Sequence, residues 1–311
     1  MTDLDFVAMQ NSTSVRPSAP PLPLRLLRPG IATLSALAPS LAARLAERLF
    51  LTPPRHPVPV WERAVLAGAR RTIVQLDGAP MTTWTWGQGS AVLLVHGWGG
   101  RGAQLAGFVD PLVNSGFAVV AFDAPGHGVS PDSQSSIVAF LDAIRAISQA
   151  LGPVKGVIAH SIGAVAAARA LYEGLSAEAA VFIAPPADLV LHSHTLLEPL
   201  GFGRIAREAM QARIERRLGV AWTALDVRTY ARAMRTPLLV VHDRDDNEVP
   251  WQDGAIIARD WRGAEFSTTG GLGHRRILRD AGVIRDVTDF VAARVRPAMP
   301  AFERAERTAS A

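Results

Sequence analysis

Residues 159–163 read Ala159-His160-Ser161-Ile162-Gly163, between a short apolar run, Val154 to Ile158, and a small-residue stretch, Ala164 to Leu171. Apolar residues followed at once by helix formers predict a strand that turns sharply into a helix, with Ser161 at the corner. Gly163 supplies the steric room such a corner needs, and Ala159 stands on its other side. The amides and positive dipole end of the helix would face Ser161 and favour negative charge developing beside it. The chemistry of such a placement is nucleophilic attack on a carbonyl carbon. A serine hydroxyl attacks poorly until a base takes its proton, so partners are expected elsewhere. His274 follows the last strand-like run, Ala264 to Thr269, through Gly270-Gly271-Leu272-Gly273. Leu238 to Val241 reads as a buried strand that opens into His242-Asp243-Arg244-Asp245-Asp246. Each motif also has a plain structural reading: Ser161 as a helix cap, His274 as a ring bonded to a carbonyl, the aspartates as a solvated turn.

Serine, then aspartate, then histidine, each just beyond the C-terminal end of a strand, is the chain order of an α/β-hydrolase triad, and here the chain resembles that family. The resemblance implies Ser161 as nucleophile and His274 as base. It implies Asp246 as the acid, because Asp246-Asn247-Glu248-Val249-Pro250 is similar to the family's Asp-x-x-Val-Pro spacing. Asp243 and Asp245 sit beside it, and Asp188 is a weaker substitute beyond the preceding strand. Ala91 to Val95 followed by His96-Gly97-Trp98-Gly99-Gly100 resembles the family's His-Gly segment, which implies the backbone N–H groups of Trp98 and Ile162 as an oxyanion hole. Asp123 to Gly128, after Ala118 to Phe122, resembles its turn beyond the next strand. The likeness runs from about residue 72 to 295. It implies a carboxylic ester, thioester or amide as a small-molecule substrate and neither a metal nor an organic cofactor. His127 and His160 are read as loop-shaping residues.

Other chemistries compete for the same residues. Acyl transfer, perhydrolysis and C–C bond hydrolysis use the same constellation, and a ligand-sensing protein could keep a residual triad. Gly97-Trp98-Gly99-Gly100-Arg101-Gly102 satisfies the dinucleotide pattern G-x-G-x-x-G, with Asp123 placed for a ribose contact. That oxidoreductase reading leaves Ser161, the acidic turn and His274 unused, and it sets pyrophosphate against the bulk of Trp98.

A chain of 311 residues, 49% hydrophobic and 19% charged, can bury one large α/β core with an insertion. Its net charge is only +4, and Lys155 is the sole lysine, so a basic isoelectric point of about 10.4 reflects arginine usage. A nucleic-acid footprint would need those arginines on one stripe. With no cysteine, disulfides and thiol catalysis are excluded. No P-loop is present, and His192-x-His194 is too little for a metal site.

Alternating strand and helix begin with a hairpin, Thr72 to Asp77 and Met81 to Trp86. Ile137, Leu141, Ile144 and Ile147 mark a helix face before the fifth strand, and Ile277, Ile284, Val287 and Val291 mark the closing helix. The expected architecture is an α/β-hydrolase fold: a mostly parallel sheet, helices on both faces, and a helical cap between strands six and seven. The α/β domain is read over 61–311 with the cap at about 187–235. Helical stretches are expected in the cap at Ile205 to Leu218 and Thr229 to Met234, and Leu191, Leu196, Leu197, Leu200 and Phe202 are expected either along an acyl pocket with Trp98 or in a small core of the cap itself. Its arginines Arg204, Arg207, Arg213, Arg216 and Arg217 read as a solvated face, or as a surface for anions or lipid headgroups.

Residues 1–60 read as an N-terminal arm and an amphipathic helix. Prolines at 17, 20, 21, 23 and 29 predict a loose arm over 1–30. Ile31, Leu34, Leu37, Leu41, Leu45 and Leu49 recur at helical spacing, broken near Pro39, and predict a stripe packed on the body of the protein. Arg44, Glu47 and Arg48 argue against a membrane span, leaving membrane association only through this helix or the basic cap. The expected location is the cytoplasm, with export the minor alternative because Arg25 and Arg28 precede an apolar run.

Overall fold

The structure, a computed structural model, describes residues 22–296. The apolar runs form one eight-stranded sheet: β1 Arg70–Leu76, β2 Ala79–Trp86, β3 Ser90–Val95, β4 Phe117–Phe122, β5 Val154–His160, β6 Ala179–Ile183, β7 Leu238–Asp243 and β8 Glu265–Thr269. Their spatial order is β1-β2-β4-β3-β5-β6-β7-β8. The β1–β2 hairpin and the β2–β4 pair are antiparallel, and every other pair is parallel. The hairpin is longer than the expected one because Asp77 and Gly78 both take positive φ, 49° and 81°, and form the tight turn that favours two-residue loops.

Central strands read as continuous apolar runs because both faces are covered. On β3, Leu93 and Val95 point into one core while Val92 and Leu94 point into the other. The first face is covered by α5 (Ile137–Leu151), α6 (Ile162–Tyr172) and α10 (Trp251–Asp260), through Phe140, Ile144, Val165 and Ile257. A 3-10 segment, Gly102–Phe108, then α4 (Val109–Asn114) and α12 (Ala281–Arg294) cover the second, through Phe108, Leu112, Val287 and Val291. Ile277, expected on the closing helix, sits in a separate turn; α12 starts only where the Asp280 carboxylate accepts the Val283 N–H.

Between β6 and β7 the chain leaves the sheet as α7 (Leu189–Leu197), α8 (Arg204–Leu218) and α9 (Trp222–Leu225), the helical cap. The helix expected over Thr229 to Met234 is instead two 3-10 turns, Val227–Thr229 and Ala231–Ala233. Asp226 explains this: its side chain takes the Arg228 N–H and its carbonyl the Thr229 hydroxyl, local bonds that compete with a helical ladder.

Two expectations for the N-terminal region are corrected. Helix α1 already begins at Leu22 and runs to Leu37 through Pro29, inside the stretch read as a loose arm; Met1 to Pro21 lie outside the described residues. Ile31 is buried and Leu34 packs on the core, which anchors this helix despite the proline. In α2 (Pro39–Phe50) the buried face is Ala42, Ala43, Ala46 and Glu47, whereas Leu37, Leu41 and Leu45 are exposed. Small alanines let α2 approach α8 closely, and the leucines are turned outward. A third N-terminal helix, α3 (Val60–Ala67), places Glu62 in a buried ion pair with Arg101. No described helix is long and apolar enough to cross a membrane.

Candidate active site

Ser161 sits at the β5–α6 corner with φ 53° and ψ −127°. A non-glycine residue held at positive φ costs about 1–3 kcal/mol and persists only where its surroundings enforce it. Here the Ser161 N–H donates to the Ile183 carbonyl of β6 at 2.9 Å. Close packing does the rest: a Cβ on Gly163 would clash with the His96 carbonyl oxygen, and one on Gly97 would lie 2.9 Å from His160 Nδ1. Although Ser161 occupies the N-cap position, its side chain makes no capping bond. Ser161 lines a cavity instead, together with His274, Trp98 and Ile162.

His274, on the one-turn helix α11 (Gly273–Arg276), is buried, and its Nδ1–H points at Asp246 Oδ2, 2.7 Å away. Asp246 Oδ1 accepts the Glu248 and Val249 N–H groups at 2.8 and 2.9 Å, which fixes the carboxylate. Burial works to raise the Asp246 pKa, but hydrogen bonds from His242 and His274 and the His274 charge outweigh it and hold it well below the usual carboxylate range. The ring is therefore oriented by an ionised partner.

The neighbouring acids have other work. Asp243 takes the Thr269 hydroxyl at 2.6 Å and the Leu272 N–H at 3.1 Å, and Asp245 Oδ2 takes the Gly271 N–H at 2.7 Å. Both shape the loop that delivers His274. Asp188 caps α7 through the Leu191 N–H and pairs with Arg228 at 2.9 Å, so it does not reach the histidine.

Ile162 is the first residue of α6, so its N–H has no carbonyl within the helix to bond. Trp98 lies in the β3 loop and lines the cavity beside it. His160 Nε2–H donates to the His274 carbonyl at 3.0 Å, and His127 Nδ1–H donates to the Pro125 carbonyl at 2.9 Å. These two rings shape loops. The dinucleotide alternative fails on Asp123: its carboxylate is buried and already accepts the Gly102 and Val129 N–H groups, both at 2.8 Å. Buried and committed to these amides, it is not presented to a ribose.

The cavity holds about 510 Å³, a size suited to a small organic ligand. Trp98, Leu196, Leu197 and Leu200 line it as expected. Leu191 instead faces solvent, and Phe202 is buried in the core. Several lining residues were not expected at the cavity: Phe50, Trp222 and Ile214 on the apolar side, and His192, Glu248 and Arg275 among the polar groups. His242 was also missed as a neighbour of Asp246, with Nε2 3.3 Å from Oδ2. Glu248 and Arg275 pair at 3.0 Å, so the charges near His274 are mutually compensated. Among the described residues no cluster of three or more acids, histidines or cysteines could hold a metal ion.

The buried histidines predict an acid-sensitive fold. Burial lowers His96 and His160 well below the ordinary value, and lowers His127 and His192 to about 4. Unfolded histidine takes up a proton near pH 6.5, so between there and pH 4 the unfolded chain binds more protons and stability falls with pH. Asp123, raised by burial to about 6, and Asp253, also raised by burial, act in the opposite sense but are outnumbered by the four histidines. The melting temperature should therefore be lower at pH 5 than at pH 7.5; a higher value at pH 5 would show that these rings titrate normally.

A family model described as "Alpha/beta hydrolase family" matches residues 92–287. A "Pimeloyl-[acyl-carrier protein] methyl ester esterase" from Methylococcus capsulatus is 49% identical over 47 residues, 15% of this chain and only 18% of that protein. A "Putative carbamate hydrolase RutD" from Variovorax paradoxus is 26% identical over 68% of this chain and 96% of its own length. Among solved structures, an esterase from Pyrococcus furiosus superposes with a TM-score of 0.60 at 18% identity, covering 79% of this chain and 99% of that one. With a family model matching more than half of its length, this chain belongs to the alpha/beta hydrolase family.

Proposed function

We propose that the protein is a serine hydrolase of carboxylic esters, with Ser161 as nucleophile, His274 as general base and acid, and Asp246 as the orienting carboxylate. The observation that carries this reading is the bond from buried His274 Nδ1 to Asp246 Oδ2, on the same cavity as a serine held at positive φ. Ser161 Oγ attacks the ester carbonyl carbon while His274 Nε2 takes its proton. The carbonyl electron pair moves onto oxygen, where the Trp98 and Ile162 N–H groups meet the charge. Collapse breaks the bond to the alcohol, which leaves with the proton from His274, and the acyl group stays on Ser161. Water then repeats the sequence: His274 takes its proton, oxygen attacks the acyl carbon, and Ser161 departs protonated as the acid is released. The local match to a methyl ester esterase, over 15% of this chain, favours an ester over an amide.

A fluorophosphonate probe tests the reading. One phosphonyl adduct should form, on the peptide carrying Ser161, together with hydrolysis of p-nitrophenyl esters. Absence of both on folded protein would favour a binding protein with an inert triad.

A further inference from the structure

The residues before the sheet do more than decorate it. Leu49, Phe50, Leu51 and Thr52, at the C-terminal end of α2, line the same cavity as Ser161. Phe50 stacks on Trp222 of the cap at 5.5 Å and on Trp98 of the β3 loop at 6.5 Å, so one aromatic ring bridges cap and oxyanion loop.

Further contacts fix that placement. Glu47, with a side chain 11% exposed, receives Arg213 Nε at 2.6 Å and Arg217 Nη1 at 3.5 Å, both from α8. The Leu51 carbonyl accepts the Ser135 N–H at 2.8 Å, and Arg55 Nη2 donates to the Ser130 carbonyl at 2.8 Å. Pro54 lies against Gly99, where a Cβ would approach its Cγ to 2.9 Å. The other helix of the pair closes on the cap as well, since a Cβ on Gly201 would approach the Arg28 carbonyl to 2.6 Å. Cap arginines that read as a solvated or anion-binding face are thus partly spent on holding the N-terminal helices.

We propose that α1 and α2 are the second half of the cap, and that the end of α2 walls the subsite for an apolar acyl chain of medium length, with Phe50 as its specificity-determining residue. This deepens the ester-hydrolase reading and rests on it for the reaction, though not for the binding. The wall facing the chain is built of Phe50, Trp98, Ile214, Leu218 and Trp222, none of them charged. Each methylene buried there should raise affinity about fourfold, until the cavity is filled. A charged chain has no partner on that wall.

Two measurements on the full chain separate the two readings. Octanamide, a neutral compound that is not an ester, should quench the fluorescence of Trp98 and Trp222 on binding, and p-nitrophenyl octanoate should exceed acetate in kcat/KM by tenfold or more. Phe50→Ala should weaken octanamide and cut the octanoate-to-acetate ratio of kcat/KM by tenfold or more, and Phe50→Leu should recover most of both. Glu47→Gln, a positioning change, should raise KM for octanoate severalfold and leave kcat in place. Leu49→Trp, at the half-exposed rim and tolerant in folding terms, should move the optimum to shorter chains. If Phe50→Ala and Leu49→Trp both leave octanamide affinity and the chain-length profile unchanged, the N-terminal helices are not part of the site. Octanamide binding without ester turnover would leave the subsite standing and remove the hydrolase reading instead.

Discussion

Ser161→Ala is expected to abolish fluorophosphonate labelling and to lower ester turnover by at least about a thousandfold. The size follows from what the alanine leaves behind. On the proposed reading the Trp98 and Ile162 N–H groups and the cavity remain, so carbonyl polarisation and substrate binding survive, but no oxygen is held for attack. Folding should be little affected, since the Ser161 side chain makes no capping bond at the start of α6. Alanine at the same positive φ keeps the corner as strained as serine does. Equal melting temperatures and full labelling of the variant would place the reactive nucleophile elsewhere; equal melting temperatures with no labelling locate it at this oxygen.

The parts of this site that could be read from sequence are those in which spacing is itself a structural device. Asp246, Val249 and Pro250 were readable as a unit because the Asp246 carboxylate folds the turn around itself, accepting the Glu248 and Val249 N–H groups. The strands were equally legible, since parallel strands covered on both faces must be continuously apolar, as Val92 to Val95 are. Periodicity alone misled at α2. It identifies a helix with two dissimilar faces but cannot say which is buried, and the alanine face won because it lets α8 approach while Glu47 reaches Arg213. Phe50 and Trp222 gave no warning of their meeting, as nothing local to either residue encodes a contact between segments so far apart in the chain. The same holds for His242, which reads as part of a buried strand and turns out to stand beside the carboxylate of Asp246.

Three aspartates lie within four residues of one another, and their substitutions should have unequal effects. Asp246→Asn is expected to lower kcat by about ten-thousandfold, the scale seen when an orienting carboxylate becomes an amide and the histidine takes the wrong tautomer. An amide can present its N–H to His274 Nδ1, which then becomes an acceptor and leaves the proton on the nitrogen that must receive one from Ser161. Asp243→Asn and Asp245→Asn act at a distance from that proton. Asp243 is joined to the Thr269 hydroxyl and the Leu272 N–H, and Asp245 to the Gly271 N–H, so both hold the glycine-rich loop before His274. Losing one such bond should appear as a lower melting temperature, on the scale of about 1.5–3 kcal/mol for one hydrogen bond to a charged group, with a loss of rate within about tenfold. Acid titration should separate the cases further. The depressed pKa of Asp246 keeps it ionised throughout the range in which the folded protein can be assayed, so the acidic limb of the rate profile should persist unchanged in Asp243→Asn and Asp245→Asn. Should Asp245→Asn prove the inactive variant and Asp246→Asn retain turnover, the contact between His274 and Asp246 would be structural and the acid of the reaction would have to be sought elsewhere in the loop.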